Sequence, residues 1–194
     1  TPLYSSAASD VYKRQIAQYL EEVRYLRSII PNVEISTDLI VGFPTETEED
    51  FQATLRVLEE VRFSQVFSFK YSPRPGTKAA KMADDVPRGV KESRLQRVIE
   101  LQAGITREQL ARYIGSEQEV LVDGAHPRRR GVMNGRTEGY RPVSIYDGSV
   151  EIGEIVSVRI TGHRNHWLEG VPVMRSESCA EGSPGREVPA IAPS

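Results

Sequence analysis

Ile16, Tyr19, Leu20, Val23, Leu26 and Ile30 recur at three- and four-residue steps from Val11 onward, a stripe that predicts an amphipathic helix ended by Pro31. The preceding stretch TPLYSSAASD is small and polar and carries no stripe, so residues 1–15 are expected to be unstructured or foreign to the rest of the chain. VEISTDLIV, residues 33–41, is β-branched and apolar on both faces, as suits a strand covered by helices on at least one side. The run breaks at Gly42-Phe43-Pro44. Thr45-Glu46-Thr47-Glu48 then offers a capping box, with Thr45 as N-cap and Glu48 reaching back, and Phe51, Leu55, Leu58 and Val61 mark a second helix face. QVFSFKY, residues 65–71, reads as a second strand that runs into the loop SPRPGT. Helix, strand, turn, helix, strand is βαβ order, from which a parallel sheet is expected.

A third helix is expected after Pro87, with Leu95, Val98, Leu101, Gln102 and Ile105 as its inner stripe and Gly115 as its stop. From Glu117 the pattern changes to short alternating runs separated by glycine: EQEVLVDG, VMNGRT, RPVSIY, IGEIVSVRITG and HWLEGVPV. Short strands with no helix signal between them read as a small closed or nearly closed β-barrel. Residues 175–194 are Ser, Glu, Gly, Pro and Ala without periodicity and are expected to be a disordered tail. The fold class expected is α/β over residues 16–114 followed by an all-β barrel over residues 115–174.

Composition narrows the chemistry. The formal charge of −2 over 194 residues argues against a protein that is basic throughout, so any nucleic-acid contact must come from a local patch. No apolar run approaches the roughly 18–20 residues of a membrane span. The start has neither a basic nor an apolar leader segment, and its first residue, Thr1, is read as lying inside a longer product. Cys179 is the single cysteine, which excludes a disulfide framework and any cysteine-ligated cluster built from this chain alone. His126, His163 and His166 lack metal-ligand spacing, and Trp167 is expected in the core.

Asp38 puts a carboxylate near the carboxyl end of an apolar strand, where parallel α/β sheets bind ligands. It suits the two hydroxyls of a ribose, with Gly42 leaving room for a molecule to approach; it equally suits a structural bond to a neighbouring amide. In FKYSPRPGT, Lys70 and Arg74 flank a turn stiffened by two prolines, able to press on a flat ring or a phosphate, or serving only the fold. In HPRRRGVMNGRTEGYRP, Arg128, Arg129, Arg130, Arg136 and Arg141 surround Tyr140, the mixture of cations and aromatic platform that binds single-stranded or looped RNA. A solvated loop is the other reading.

Three stretches together, STDLIVGFPTETEEDFQATLRVLEEVRFSQVFSFKYSPRPGTKAAKM, VPRGVKESRLQRVIELQ and the GRT of the β-region, resemble the radical-SAM methylthiotransferases, MiaB type, over about Tyr19 to Val173. The resemblance implies the last part of a radical-SAM (β/α) barrel followed by a TRAM domain of OB-like form that binds RNA. It implies S-adenosylmethionine and two 4Fe–4S clusters as cofactors of the complete enzyme, with the cluster ligands lying outside this chain. By motif position, Asp38 and Gly42 would face the ribose and adenine of S-adenosylmethionine, while Lys70, Tyr71 and Pro73 would help close the pocket. The reaction implied is methylthiolation of an isopentenyl-modified adenosine next to the anticodon. Partner and setting would be the tRNA anticodon arm and the cytoplasm, with a monomeric protein and no membrane. Siblings acting on threonylcarbamoyl-adenosine or on a ribosomal-protein aspartate, and a stand-alone RNA-binding module, remain as alternatives.

Overall fold

The computed structural model describes residues 3–173; the segment 175–194, expected to be a tail, lies outside them. Helix α1 spans Leu3–Ile29, strand β1 Ser36–Val41, helix α2 Glu48–Val61, strand β2 Gln65–Lys70 and helix α3 Arg88–Ala111. Five strands complete the described residues: β3 Glu117–Ala125, β4 Met133–Thr137, β5 Pro142–Ile145, β6 Ile155–Arg164 and β7 Trp167–Pro172. The start expected to be unstructured is thus helical from Leu3, ahead of the apolar stripe; Ala7 and Ala8 favour that extension.

β1 and β2 pair in parallel, with Asp38 opposite Phe67 and Ile40 opposite Phe69. One face of this pair packs on the helices through Val41, Phe51, Leu58, Val61, Phe63 and Val98, with Val23 of α1 joining the cluster. The opposite face is open: Ile40, Phe67 and Phe69 stay 53%, 46% and 55% exposed. A strand pair with period-two side chains buries one face and presents the other, and here the presented face carries Ile40, Phe67 and Phe69 with Asp38 as its one charge beside the polar pair Ser36 and Gln65.

The second helix does not start where the sequence suggested. Thr47, not Thr45, is the N-cap: its hydroxyl accepts from the Asp50 amide at 3.1 Å while Asp50 accepts from the Thr47 amide at 3.0 Å. Thr45 has φ 71°, and the amide after it, that of Glu46, closes a turn on the Phe43 carbonyl at 2.9 Å. A left-handed residue cannot open a right-handed helix, so the capping box moves on by two.

The C-terminal strands form a closed barrel in the order β3-β4-β5-β7-β6. Closure leaves no unpaired edge. Val120, Val122, Val143, Ile145, Val158, Ile160 and Leu168 fill its interior together with Leu110, which α3 contributes and which is fully buried. α3 therefore serves both cores, through Val98 on one side and Leu110 on the other. It ends at Ala111, before Gly115, whose φ of 87° belongs to the turn that enters β3. Trp167, expected in the core, is half-buried beside His166 at the β6–β7 turn.

Strand register fixes which loops share an end. β3 begins opposite Arg159 and meets Thr137 at Val120, so the β4–β5 and β6–β7 turns lie at the end from which β3 departs α3. The Arg128–Arg130 loop closes the other end.

Candidate functional site

The residues expected to form one cofactor pocket fall into three places. Asp38 lies on the open face of the β1–β2 pair, exposed, and no side chain among the described residues pairs with it. Its neighbours across and along the strands are the flat ring of Phe67 and the aliphatic side chain of Ile40, both apolar. A carboxylate with free lone pairs beside an aromatic ring can accept both hydroxyls of a ribose while the ring supports a base.

Gly42 is not an approach route. It is buried with φ 71°, and a Cβ there would collide with the Lys91 side chain, which lies against its backbone. The glycine serves the turn and this close packing. Its amide donates to Glu46 Oε2 at 2.6 Å, and Arg94 donates to the same oxygen at 2.7 Å and to the Glu46 carbonyl at 3.1 Å. The Gly42-to-Glu46 turn beyond β1 is thus fixed from behind by α3. Lys91 and Arg94 are both buried, and the sequence reading does not single them out. A signal for them exists: positions 91, 94, 98, 101 and 105 form one helical stripe, and charges on an apolar stripe need buried partners.

Lys70 also departs from the expectation. It pairs in register with Val41, on the helix-facing side of the sheet, and bonds Glu92 of α3 at 3.1 Å. Asp38 and Lys70 therefore sit on opposite faces. The Arg88 hydrogen bond, and then that of Lys70, holds the Glu92 carboxyl below its usual value. Tyr71 and Pro73 join Lys70, Asp84 and Lys91 around a groove of about 440 Å³. There the Tyr71 ring meets Phe43 edge-on at 5.2 Å and lies 5.1 Å from Lys91 Nζ, which pairs with Asp84. The Tyr71 hydroxyl is buried with no partner among the described residues.

The arginines of the β-barrel divide by what they touch. Arg128 and Arg130 are exposed, and neither guanidinium meets a carboxylate among the described residues. Arg129 donates to the Tyr146 hydroxyl at 2.7 Å and lies 3.8 Å from Glu169. Arg136 bonds Asp123 at 3.0 Å and stacks on the exposed Tyr140 ring, 4.3 Å from its centroid. Tyr140 has φ 64°, which turns its ring out of the β4–β5 turn to meet that guanidinium. The pair is a cation-backed aromatic surface, the form on which an unstacked base lies.

Arg141, expected with the RNA contacts, does other work. It is buried and grips Glu34 with two bonds of 2.9 and 2.8 Å, and its guanidinium also reaches Gln109 Oε1 at 2.9 Å. Tyr113 donates to Glu34 from the other side at 3.2 Å. Burial, and then the Glu34 charge, push the Tyr113 hydroxyl above its ordinary value. Bidentate geometry on a carboxylate from the lead-in to β1 makes Arg141 the clamp between the two halves. Sequence adjacency hides this, because the partner lies 107 positions away.

Among the described residues, no helix is long and apolar enough to cross a membrane and no group of three His, Cys, Asp or Glu is placed to hold a metal ion. Residues 111–173 match the TRAM domain family. The chain is 46% identical over 160 residues to the tRNA-2-methylthio-N(6)-dimethylallyladenosine synthase of Chlorobium chlorochromatii, covering 82% of this chain and 36% of that protein. The synthase of the same name from Aquifex aeolicus is 45% identical over 153 residues, 79% of this chain and 34% of the relative. That from Thermobifida fusca is 42% identical over 181 residues, 89% of this chain and 37% of the relative. The chain thus spans about a third of the length of the curated relatives it matches. Over most of its residues it is similar to the tRNA-2-methylthio-N(6)-dimethylallyladenosine synthases, and its residues 111–173 match the TRAM domain family.

Proposed function

We propose that this chain is the C-terminal part of a radical-SAM methylthiotransferase that modifies isopentenyl-modified adenosine next to the tRNA anticodon, working in the cytoplasm as a monomer. In this reading the β1–β2 pair belongs to a (β/α) barrel, and its open face looks into the reaction chamber. The β-barrel grips the anticodon arm. The observation that carries the reading is Asp38: an unpaired carboxylate on an exposed apolar sheet face, in a chain 46% identical to such a synthase.

S-adenosylmethionine fits these residues in part. Asp38 would hold the ribose hydroxyls and Phe67 would support the adenine. Gly42 and Lys70 would serve it indirectly, by holding the turn and the strand end. When bound, S-adenosylmethionine supplies a methyl group and the source of radical chemistry. The 4Fe–4S clusters do not fit this chain: four-iron clusters need several thiolates, and the single cysteine, Cys179, lies outside the described residues. No step of the reaction is assigned to a cluster held by these residues, and the chain alone is expected to be inactive.

The test is a chimera in which this chain replaces the matching third of the Aquifex aeolicus synthase, with tRNA nucleosides measured by mass spectrometry. The methylthio derivative of isopentenyl-adenosine should form, and Asp38→Asn should lower its rate by roughly tenfold or more, as loss of hydrogen bonds to a charged group would. Formation of a threonylcarbamoyl derivative, or modification of a ribosomal protein instead, would assign the chain to a sibling. For RNA, Arg128→Ala/Arg130→Ala should flatten the log–log salt dependence of anticodon-arm binding by about 1.4–1.8. Arg129→Ala should change it less, because Glu169 already partners that charge.

A further inference from the structure

Between β2, α3 and the β6–β7 turn lies a cavity of about 410 Å³ that the cofactor and arginine sites do not use. Its volume falls within the range of small-molecule sites, about 300–1,000 Å³. Val66, Val98, Ile99 and Ala103 give it apolar walls. Two lining side chains carry buried polar atoms without a partner among the described residues, Gln102 Oε1 and His163 Nδ1. The Gln102 amide cannot simply be turned over. Its nitrogen donates to the Phe63 carbonyl at 3.0 Å and to Thr106 Oγ1 at 3.1 Å, and only a nitrogen can donate to that carbonyl. Oε1 is therefore a fixed acceptor in want of a donor. Arg107 at the rim is exposed and meets no carboxylate among the described residues.

An occupant of this cavity has to be flat enough to lie between aliphatic walls, must donate to a fixed oxygen, must bond an imidazole nitrogen and should bring a negative charge to Arg107. A nucleobase carried on a phosphate meets all four demands. From this we infer that the cavity is a nucleobase site at the seam of the two halves, selective for the bases with an exocyclic amine (adenine, cytosine and guanine) over uracil. Uracil presents its one ring N–H between two carbonyl oxygens, both of which would face Gln102 Oε1 unfavourably. The β4–β5 turn, with Arg136 and Tyr140 beside it, lies at the same end of the barrel as the β6–β7 turn. A single strand of RNA resting on that platform can place an unstacked base in the cavity. That RNA source rests on the function proposed above, whereas the nucleobase chemistry stands without it.

Trp167 is the only tryptophan and adjoins His166 of the cavity lining, so its fluorescence reports occupancy in the full chain. AMP, CMP and UMP are titrated against the wild type and against Ala103→Phe, which fills the cavity from an exposed position; an anticodon-arm hairpin is titrated in parallel. Thermal melting verifies that the variant is folded, and if it is not, Ala103→Leu takes its place. AMP and CMP should quench saturably, UMP should bind roughly tenfold more weakly, and the filled variant should lose all three responses. Hairpin binding weakened by the filling variant assigns the base to RNA; hairpin binding left unchanged, with nucleotide binding lost, assigns the site to free nucleotides. A hairpin that fails to bind while AMP still does would defeat the RNA reading and leave the cavity site standing. Absence of a saturable response to any nucleotide at millimolar concentration, UMP binding equal to AMP, or binding unaffected by Ala103→Phe would overturn the inference.

Discussion

The two halves of this chain solve the same problem to different degrees. Five strands closed into a barrel pair every edge and bury a continuous core, so that only their outer surface is left for binding. Two parallel strands backed by helices bury one face and leave Ile40, Phe67 and Phe69 in solvent. The first is a finished unit that presents only its outer surface. The second is a wall with one open face, where Asp38 sits beside exposed aromatics, while the barrel carries arginines both paired, such as Arg136 with Asp123, and unpaired among the described residues, Arg128 and Arg130.

The largest effect should come from the closed core. Leu168→Ala is expected to cost about 2–5 kcal/mol, the range for truncating a fully buried leucine, measured by denaturant unfolding. A loss below about 1 kcal/mol would mean the barrel is not a packed unit. Next is the clamp. Arg141→Ala strips a largely buried Glu34 of its bidentate partner and should cost about 2–3 kcal/mol, less than the full penalty for a wholly buried pair. Hairpin binding should lose no more than the stability change explains. If instead it falls while stability holds, Arg141 is an RNA contact after all. Tyr113 adds a pH signature to the clamp. Its pKa is raised in the fold above the ordinary 10.0, so its contribution is full below that pH and is lost as pH rises through the raised value. The wild type should therefore weaken relative to Tyr113→Phe only above about pH 10.

Much of this contrast is readable from the sequence, and the failures have physical causes. Period-two alternation and recurrent glycine mark all five barrel strands nearly to their ends, because a closed small barrel allows little else. The parallel pairing is implicit in βαβ order. The capping box is displaced because Thr45 takes a left-handed conformation that its residue type does not advertise. Arg141 looks like its neighbours in an arginine-rich stretch because its partner, Glu34, is distant in the chain. Lys70 falls on the unexpected face for a related reason. A strand's end suggests a site, whereas the register sends that side chain to Glu92.

Smaller changes sharpen the same points. Thr47→Ala should cost about 1 kcal/mol, as loss of an N-cap does, whereas Thr45→Gly should be neutral or stabilising because it relieves a positive φ. The reverse order would restore the capping box to Thr45. Least of all, Phe67→Ser/Phe69→Ser should alter stability by no more than about 0.5 kcal/mol per site in denaturant unfolding, since neither ring is buried. A large destabilisation would show that the open face is packed in solution.

Native-state hydrogen exchange tests the contrast itself most directly. Amides of β3–β7 should exchange only through global opening of the barrel, with protection roughly a hundredfold or more above that of the β1–β2 ladder, whose two strands open locally. Equal protection in the two halves, or greater protection in β1–β2, would contradict the division into one closed unit and one open wall.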